Sequence, residues 1–224
     1  MKYAIIDTET TGLFLFKDKD GNTVPADAPG QPRVAHFAMI LANDNEEEGF
    51  IDFYIRPDGW SIDGTKASEV NGLTDAILKE KGVPISYVLA AYNTAIDEGR
   101  VIVAFNSQFD TKAMRAELRR RGLADRFEET PTICVMKAST DVCKIERMRP
   151  GGGFKQPKLS EACEFFGIKN EGAHTAGGDT RAAFAIFRKL RELGALPQPD
   201  VYHAKNYAPA QAANDPQPAP NMDF

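Results

Sequence analysis

Five residues from three separate segments have the types and spacing to do chemistry: Asp7 and Glu9 in IIDTETTGL, Asp110 in VAFNSQFD, and His174 with Asp179 in HTAGGD. Asp7 and Glu9 are two apart, so on a strand both project from one face. Carboxylates that close repel unless a cation neutralises them. An all-oxygen donor set suits hard divalent ions such as Mg²⁺ or Mn²⁺. Residues 101–105 read as a buried strand, and Asp110 follows five residues later at a helix start. Asp179 falls in the first turns of the last helix, so rigid elements would position each acid. His174 and Asp179, five apart, would point about 140° away from each other on one continuous helix. His174 is therefore expected in a loop ahead of that helix, with Gly172, Gly177 and Gly178 giving it freedom. A histidine beside carboxylate-held metal suits a general base acting on water.

The elements that must carry these residues follow from hydrophobic pattern. YAIID (residues 3–7), RVAHFAMILA and GFIDFYIRP predict a three-stranded meander, with NDNEEEG as a solvated turn. Residues 14–32 between the first two strands are a polar insertion, expected as a loop or small hairpin. Helical signal runs through TKASEV and after Thr74, then from Pro84 to Glu98 with Gly99 as its stop. VIVAF predicts a fourth strand, SQFDTKAMRAELRRRG a helix ended by Gly122, and TICVM a fifth strand. Residues 139–157, with PGGGFKQP, read as a flexible loop. LSEACEFFG and TAGGDTRAAFAIFRKLRELG read as the last two helices, the latter with Ala183, Phe187 and Leu190 on one stripe. The predicted order, β-β-β-α-β-α-β-α-α, specifies an α/β fold: a mixed five-stranded sheet with helices on both faces. From about Pro197 the composition turns to Pro, Ala, Gln and Asn. We therefore expect a domain over 1–195, with insertions at 14–32 and 139–157, and a disordered tail over 196–224.

A chain of 224 residues with 42% hydrophobic and 26% charged residues has the composition of a globular protein with one substantial domain. MKYAIID is too short an apolar stretch for a secretory segment, and no run approaches a membrane span, so a cytoplasmic location is expected. Cys134, Cys143 and Cys163, without C-x-x-C spacing, are expected as reduced thiols. Net charge is −5, yet residues 111–158 carry 12 Lys plus Arg against 6 Asp plus Glu. That basic segment on an acidic body is compatible with a phosphate track beside a metal site. Lys112, Arg115, Arg119, Arg120 and Arg121 on the helix after Asp110 fit either a solvated face or contact with a nucleic-acid backbone. Lys144, Arg147, Arg149, Lys155 and Lys158 in the glycine loop carry the same two readings. The terminal NMDF resembles partner-recruiting tails, against a passive-tail reading.

Taken in order, D-x-E-T-T-G at Asp7–Gly12, N-S-Q-F-D at Asn106–Asp110 and H-T-A-G-G-D at His174–Asp179 resemble the DEDDh branch of the DnaQ-like 3′-to-5′ exonucleases. That family has a ribonuclease H-like fold and includes polymerase proofreading subunits, ribonuclease T and oligoribonucleases. The resemblance covers about residues 1–192, with supporting matches in VNGLT (70–74) and KLSEACEFFGI (158–168). It implies that Asp7, Glu9, Asp110 and Asp179 bind two Mg²⁺ or Mn²⁺ ions, with His174 as general base. It implies release of nucleoside 5′-monophosphates from a single-stranded 3′ end. Thr10, Leu13, Asn71, Asn106 and Phe109 fall where relatives contact the terminal nucleotide. Phe105 and Asn71 stand where many relatives have histidine, which leaves DNA against RNA open. A DNA polymerase or other replication protein is an expected partner, and a non-catalytic nucleic-acid or polymerase-binding module is the competing class.

Overall fold

The computed structural model describes residues 1–147 and 153–201. Arg149 and the terminal NMDF, singled out above, lie outside the described residues, as do residues 202–224 of the expected tail. Residues 196–201 are described: Leu196 packs on the hydrophobic core and Asp200 pairs with Thr132, so the disorder expected from residue 196 does not hold there. The chain forms β1 (Lys2–Thr10), β2 (Val34–Asn43), β3 (Glu47–Tyr54), α1 (Lys66–Asn71), α2 (Asp75–Lys81) and α3 (Ile85–Asp97). It continues with β4 (Val101–Ala104), α4 (Ser107–Arg120), β5 (Thr132–Cys134), α5 (Val135–Cys143), α6 (Leu159–Phe166) and α7 (Ala176–Glu192). The sheet order is β3-β2-β1-β4-β5. β2 runs antiparallel to β1 and β3, while β4 runs parallel to β1 and β5. This is the mixed five-stranded α/β sheet that the pattern specified.

Alternation along β1 gives the sheet two cores. Ala4 and Ile6, with Phe37 and Met39 of β2, pack with Val88 and Leu89 of α3 and Met114 and Leu118 of α4. Tyr3 and Ile5, with Ile40 of β2, pack with Ala183, Ile186, Phe187 and Leu190 of α7. The second face changes character along its length. Its apolar row, Tyr3 and Ile5, continues into Asp7 and Glu9 just where the N-terminus of α7 arrives. The pairing of β1 with β2 is bulged between Glu9 and Thr10. Such a bulge ends regular pairing and turns the chain out at the acidic end.

Two elements differ from the pattern-based expectation. TICVM is strand only through Cys134; Val135 and Met136 begin α5, which runs on through residues 139–143. The glycine loop expected over 139–157 therefore begins only after Cys143. The Met136 N–H donates to the Phe105 carbonyl at 2.8 Å, drawing the chain off the sheet at the end of β4. The short β5 is paired on its outer side by Asp200, whose N–H and carbonyl both bond to Thr132.

The 14–32 insertion is a small hairpin, bridged at Lys17 and Thr23 and anchored rather than free. Lys112 of α4 is buried and donates to the carbonyls of Leu15 (2.9 Å) and Val24 (3.2 Å), its ammonium 4.2 Å from the Phe16 ring centre. Arg120 donates to the carbonyls of Gln31 and Pro32, both at 3.0 Å. Arg115 and Arg119 bond Asp125, and Arg121 pairs with Asp58. The cations of α4 and its C-cap thus fasten neighbouring segments, a use distinct from both a solvated face and a nucleic-acid contact.

The hub of this anchorage is Glu117, whose side chain is 1% exposed. It accepts from Arg33 (2.8 and 3.1 Å), Arg120 (2.9 Å) and the Val34 N–H (3.2 Å). Removing one partner of a buried ion pair costs about 3–5 kcal/mol because the other charge is stranded. Glu117→Ala is expected to cost about 3 kcal/mol, since Arg33 and Arg120 keep some solvent. At this chain length that lowers the melting temperature by about 6–12 °C, and calorimetry showing a change under 2 °C would reject the hub.

Candidate active site

Strand alternation puts Asp7 and Glu9 on the α7 face of the sheet, and α7 brings Asp179 over them. One carboxylate oxygen from each of Asp7, Glu9 and Asp179 lies within 4.8 Å of the others. Asp179 sits in the first turn of α7, after the N-cap Thr175, whose hydroxyl accepts from the Gly178 N–H at 3.1 Å. Asp110, in the first turn of α4, is buried and approaches from the neighbouring strand end. Its Oδ1 accepts from the Thr8 N–H (3.0 Å) and the Thr8 hydroxyl (2.9 Å). Asp110 thus borders the trio without joining its close cluster, and its charge still acts strongly on Asp7.

His174 occupies the loop expected for it, outside α7, with a left-handed backbone at φ +66°. Its side chain is exposed, and its backbone N–H faces the Asp179 carboxylate. A non-glycine residue in that region is strained unless its surroundings hold it. Here the Thr175 N–H and hydroxyl both donate to the Gly172 carbonyl, at 3.1 and 2.6 Å.

The other candidates divide. Asn71, at the end of α1, brings its Nδ2 to 3.5 Å from Glu9 Oε2, while its Oδ1 accepts from the Leu73 N–H. Leu13 is 89% exposed just beyond the acidic strand end. Asn106 is the exposed N-cap residue of α4. Thr10 is buried, its hydroxyl bonded to the Gly12 carbonyl at 2.6 Å. Phe109 is half-buried and meets the Phe14 ring edge-on at 5.5 Å, so its packing role is filled within the fold. Phe105 is buried in the second core, on the sheet face whose row of Tyr3 and Ile5 continues into Asp7 and Glu9.

Electrostatics sets the acids apart from the remaining carboxylates. Burial raises the Asp7 carboxyl well above its ordinary range, and the charges of Asp110, Asp179 and Glu9 all push the same way. Burial lifts Glu9 to about 7 despite the opposing Asn71 contact, with Asp179 and Asp110 adding to the rise. Burial lifts Asp110 to about 7 against the Thr8 hydrogen bonds. Asp179 is raised too, by burial, against the Asn170 and His174 contacts. Nothing acting on Asp7 favours its charged form. Partly buried oxygens of one sign, gathered with no lysine or arginine paired to them among the described residues, fit divalent metal ions as the missing charge.

Three supporting features were not read from the sequence. Thr8, the middle residue of D-T-E, holds Asp110. Asn170 donates from Nδ2 to Asp179 Oδ1 at 2.8 Å. His36 of β2 bonds the Ala176 N–H at the start of α7. The x in D-x-E is the only one a motif could have flagged. Asn170 and His36 act across loop and sheet distances that leave no local signal.

The chain matches a family model described as exonuclease (RNase_T) over residues 4–187. It is 26% identical over 193 residues to the DNA polymerase III subunit epsilon of Treponema pallidum (strain Nichols), covering 84% of this chain and 75% of that one. Its fold is similar to E. coli exonuclease I in complex with a dT13 oligonucleotide, with TM-score 0.67, 19% identity and 85% of this chain covered. The chain spans 41% of that exonuclease's length. It is also similar in fold to cell-death related nuclease 4, with TM-score 0.61, 15% identity, and 87% of this chain and 65% of that one covered. No helix among the described residues is long and apolar enough to cross a membrane.

Proposed function

Because this chain belongs to the RNase_T exonuclease family, DnaQ-like 3′–5′ exonucleases with a ribonuclease H-like fold, we propose that it removes nucleotides from the 3′ ends of single-stranded DNA in a metal-dependent reaction. The observation that carries the reading is the convergence of Asp7, Glu9 and Asp179 oxygens within 4.8 Å, with Asp110 beside them. Those four carboxylates are the residues that would hold two Mg²⁺ or Mn²⁺ ions. Bound there, such ions supply an activated water and stabilise the leaving 3′ oxygen. His174, exposed at the rim with its backbone tied to Asp179, takes the proton of the attacking water. Water adds to phosphorus, the bond to the 3′ oxygen breaks, and a nucleoside 5′-monophosphate leaves. Asn71 beside Glu9, the outward Leu13 and Asn106 at the α4 cap would meet the terminal nucleotide. Thr10 and Phe109, engaged with Gly12 and Phe14, would shape the floor beneath it.

DNA is favoured because the similar exonuclease I structure is a complex with a dT13 oligonucleotide and the related epsilon chain is a DNA polymerase subunit. Association with a polymerase, and action in the cytoplasm, extend the same reading. An exoribonuclease is the second reading, since contacts to the 2′ position decide it. A non-catalytic binding module is disfavoured, because simple binding gives no reason to gather four repelling carboxylates.

The test is hydrolysis of single-stranded DNA, duplex DNA and RNA in parallel with Mg²⁺ or Mn²⁺, each strand labelled at its 5′ end. Stepwise shortening with release of 5′-mononucleotides, fastest on single-stranded DNA, is expected. Internal cuts, or no hydrolysis, would reject the proposal, and preference for RNA would install the second reading. His174→Ala is expected to lower kcat by about 10²–10⁴-fold, the range of general-base catalysis, with metal binding kept. A loss of metal binding instead would show that His174 has another role.

A further inference from the structure

We propose that His36 and Asp52 form a positioning pair that seats the first turn of α7 and so fixes Asp179 and the His174 segment over β1. The inference deepens the reading of the site above and rests on it. Sheet register places His36 opposite Glu9, and Ala38 opposite both Asp7 and Asp52. His36 and Asp52 therefore share the face that carries the acids. His36 is 2% exposed and covered by the Tyr54 ring at 4.3 Å. Its Nδ1 accepts the Ala176 N–H at 3.3 Å, so the proton sits on Nε2, which donates to Asp52 Oδ1 at 2.5 Å. A Cβ on Gly177 would fall 2.4 Å from Asp52 Oδ2. The Asp52 carboxylate thus lies against the α7 N-terminus, where free N–H groups favour negative charge. A Cβ on Gly178 would fall 2.2 Å from the Gly172 carbonyl, pressing the same turn onto the His174 loop.

The need for such a seat follows from the site. Mutual repulsion among Asp7, Glu9, Asp110 and Asp179 pushes the start of α7 away from β1. The Ala176 bond and the Asp52 carboxylate, on the neighbouring strands of the same face, hold it to the sheet. Catalytic geometry tolerates displacements of only about 0.5 Å, so this holding force bears on turnover.

His36→Leu removes both bonds, whereas His36→Gln keeps an acceptor and a donor on one neutral side chain. The full chain would be examined by amide hydrogen exchange without metal, by Mn²⁺ titration, and by steady-state hydrolysis of a single-stranded DNA oligonucleotide. His36→Leu is expected to accelerate exchange at Ala176–Asp179 selectively and to weaken Mn²⁺ binding by about 10–100-fold, the scale for outer partners of metal ligands. It should lower kcat while KM for the oligonucleotide stays within about twofold, and His36→Gln should recover most of each loss. Unchanged exchange at Ala176, acceleration spread evenly over β1 and β4, or a Gln variant as impaired as Leu would overturn the proposal. If His36→Leu does not fold, Gly177→Ala decides. Its effect should disappear in an Asp52→Ala background, and additive losses would refute the contact. Absence of hydrolysis by the unaltered chain would reject the exonuclease reading alone, because exchange and Mn²⁺ binding still judge the seat.

Discussion

Asp7→Asn is expected to abolish hydrolysis and, in metal-free protein, to raise the melting temperature. The two effects have one origin. Asp7 is half-buried among three other acids, and desolvation and their charges all disfavour its charged form. Asparagine fills the same space without charge, so repulsion with Glu9, Asp110 and Asp179 disappears. At this chain length 1 kcal/mol corresponds to about 2–4 °C, and a rise of several degrees is expected in EDTA at pH 8. The same substitution removes an oxygen that would hold metal, and activity should fall by about 10³-fold or more, at least the scale of losing a preorganised stabiliser. With Mn²⁺ added, the ranking of melting temperatures should reverse, because only the unaltered site gains full binding energy. A metal-free Asp7→Asn protein that melts lower than its parent would show that the cluster is not under electrostatic strain.

The second large effect concerns pH and metal together. Metal-free protein is expected to lose stability as pH rises from about 4 to about 7 at these acids. Glu9 and Asp110 have folded-state values raised to about 7, above their ordinary 4.5 and 3.8. Below the ordinary values both states are protonated and no penalty exists. Between the two limits the folded state holds more protons, so stability declines with pH, and above about 7 the penalty is complete. At about 1.4 kcal/mol per pKa unit, charging Glu9 costs on the order of 3 kcal/mol. Divalent ions bind the charged forms, so the melting temperature gained on adding Mg²⁺ or Mn²⁺ should be larger at pH 8 than at pH 5.5. The difference between the parent and Glu9→Gln isolates this term from other titrations. Equal metal gains at both pH values would contradict it.

Most of the architecture was legible because the strands alternate or run apolar in short blocks and the helices carry clear stops. Gly99, Gly122 and Gly167 follow α3, α4 and α6 with φ near +70°. The start of α5 was missed for a physical reason. VMKASTDVC is rich in β-branched and hydroxyl residues and directly follows TIC, so apolar run length could not separate strand from helix. The tertiary bond from Met136 to Phe105 decides it. Of the site, the sequence placed Asp7, Glu9 and Asp179 on the elements that bring them together and put His174 in a loop. It did not foretell that Asp110 would be engaged by Thr8, nor that the α4 cations would turn to Leu15, Gln31 and Asp125. Charge composition says how many cations a helix holds; only packing says which anions and carbonyls surround them.

The pairing of Asp200 with Thr132 has a consequence for the life of the folded chain outside catalysis. β5 is a three-residue strand at the margin of the sheet, and an open margin offers unsatisfied N–H and carbonyl groups to any passing strand. Asp200 takes both groups of Thr132, so the chain closes its own border. Any shortened form ending before Asp200 would reopen that border and invite self-association, whereas one ending just after it keeps the seal.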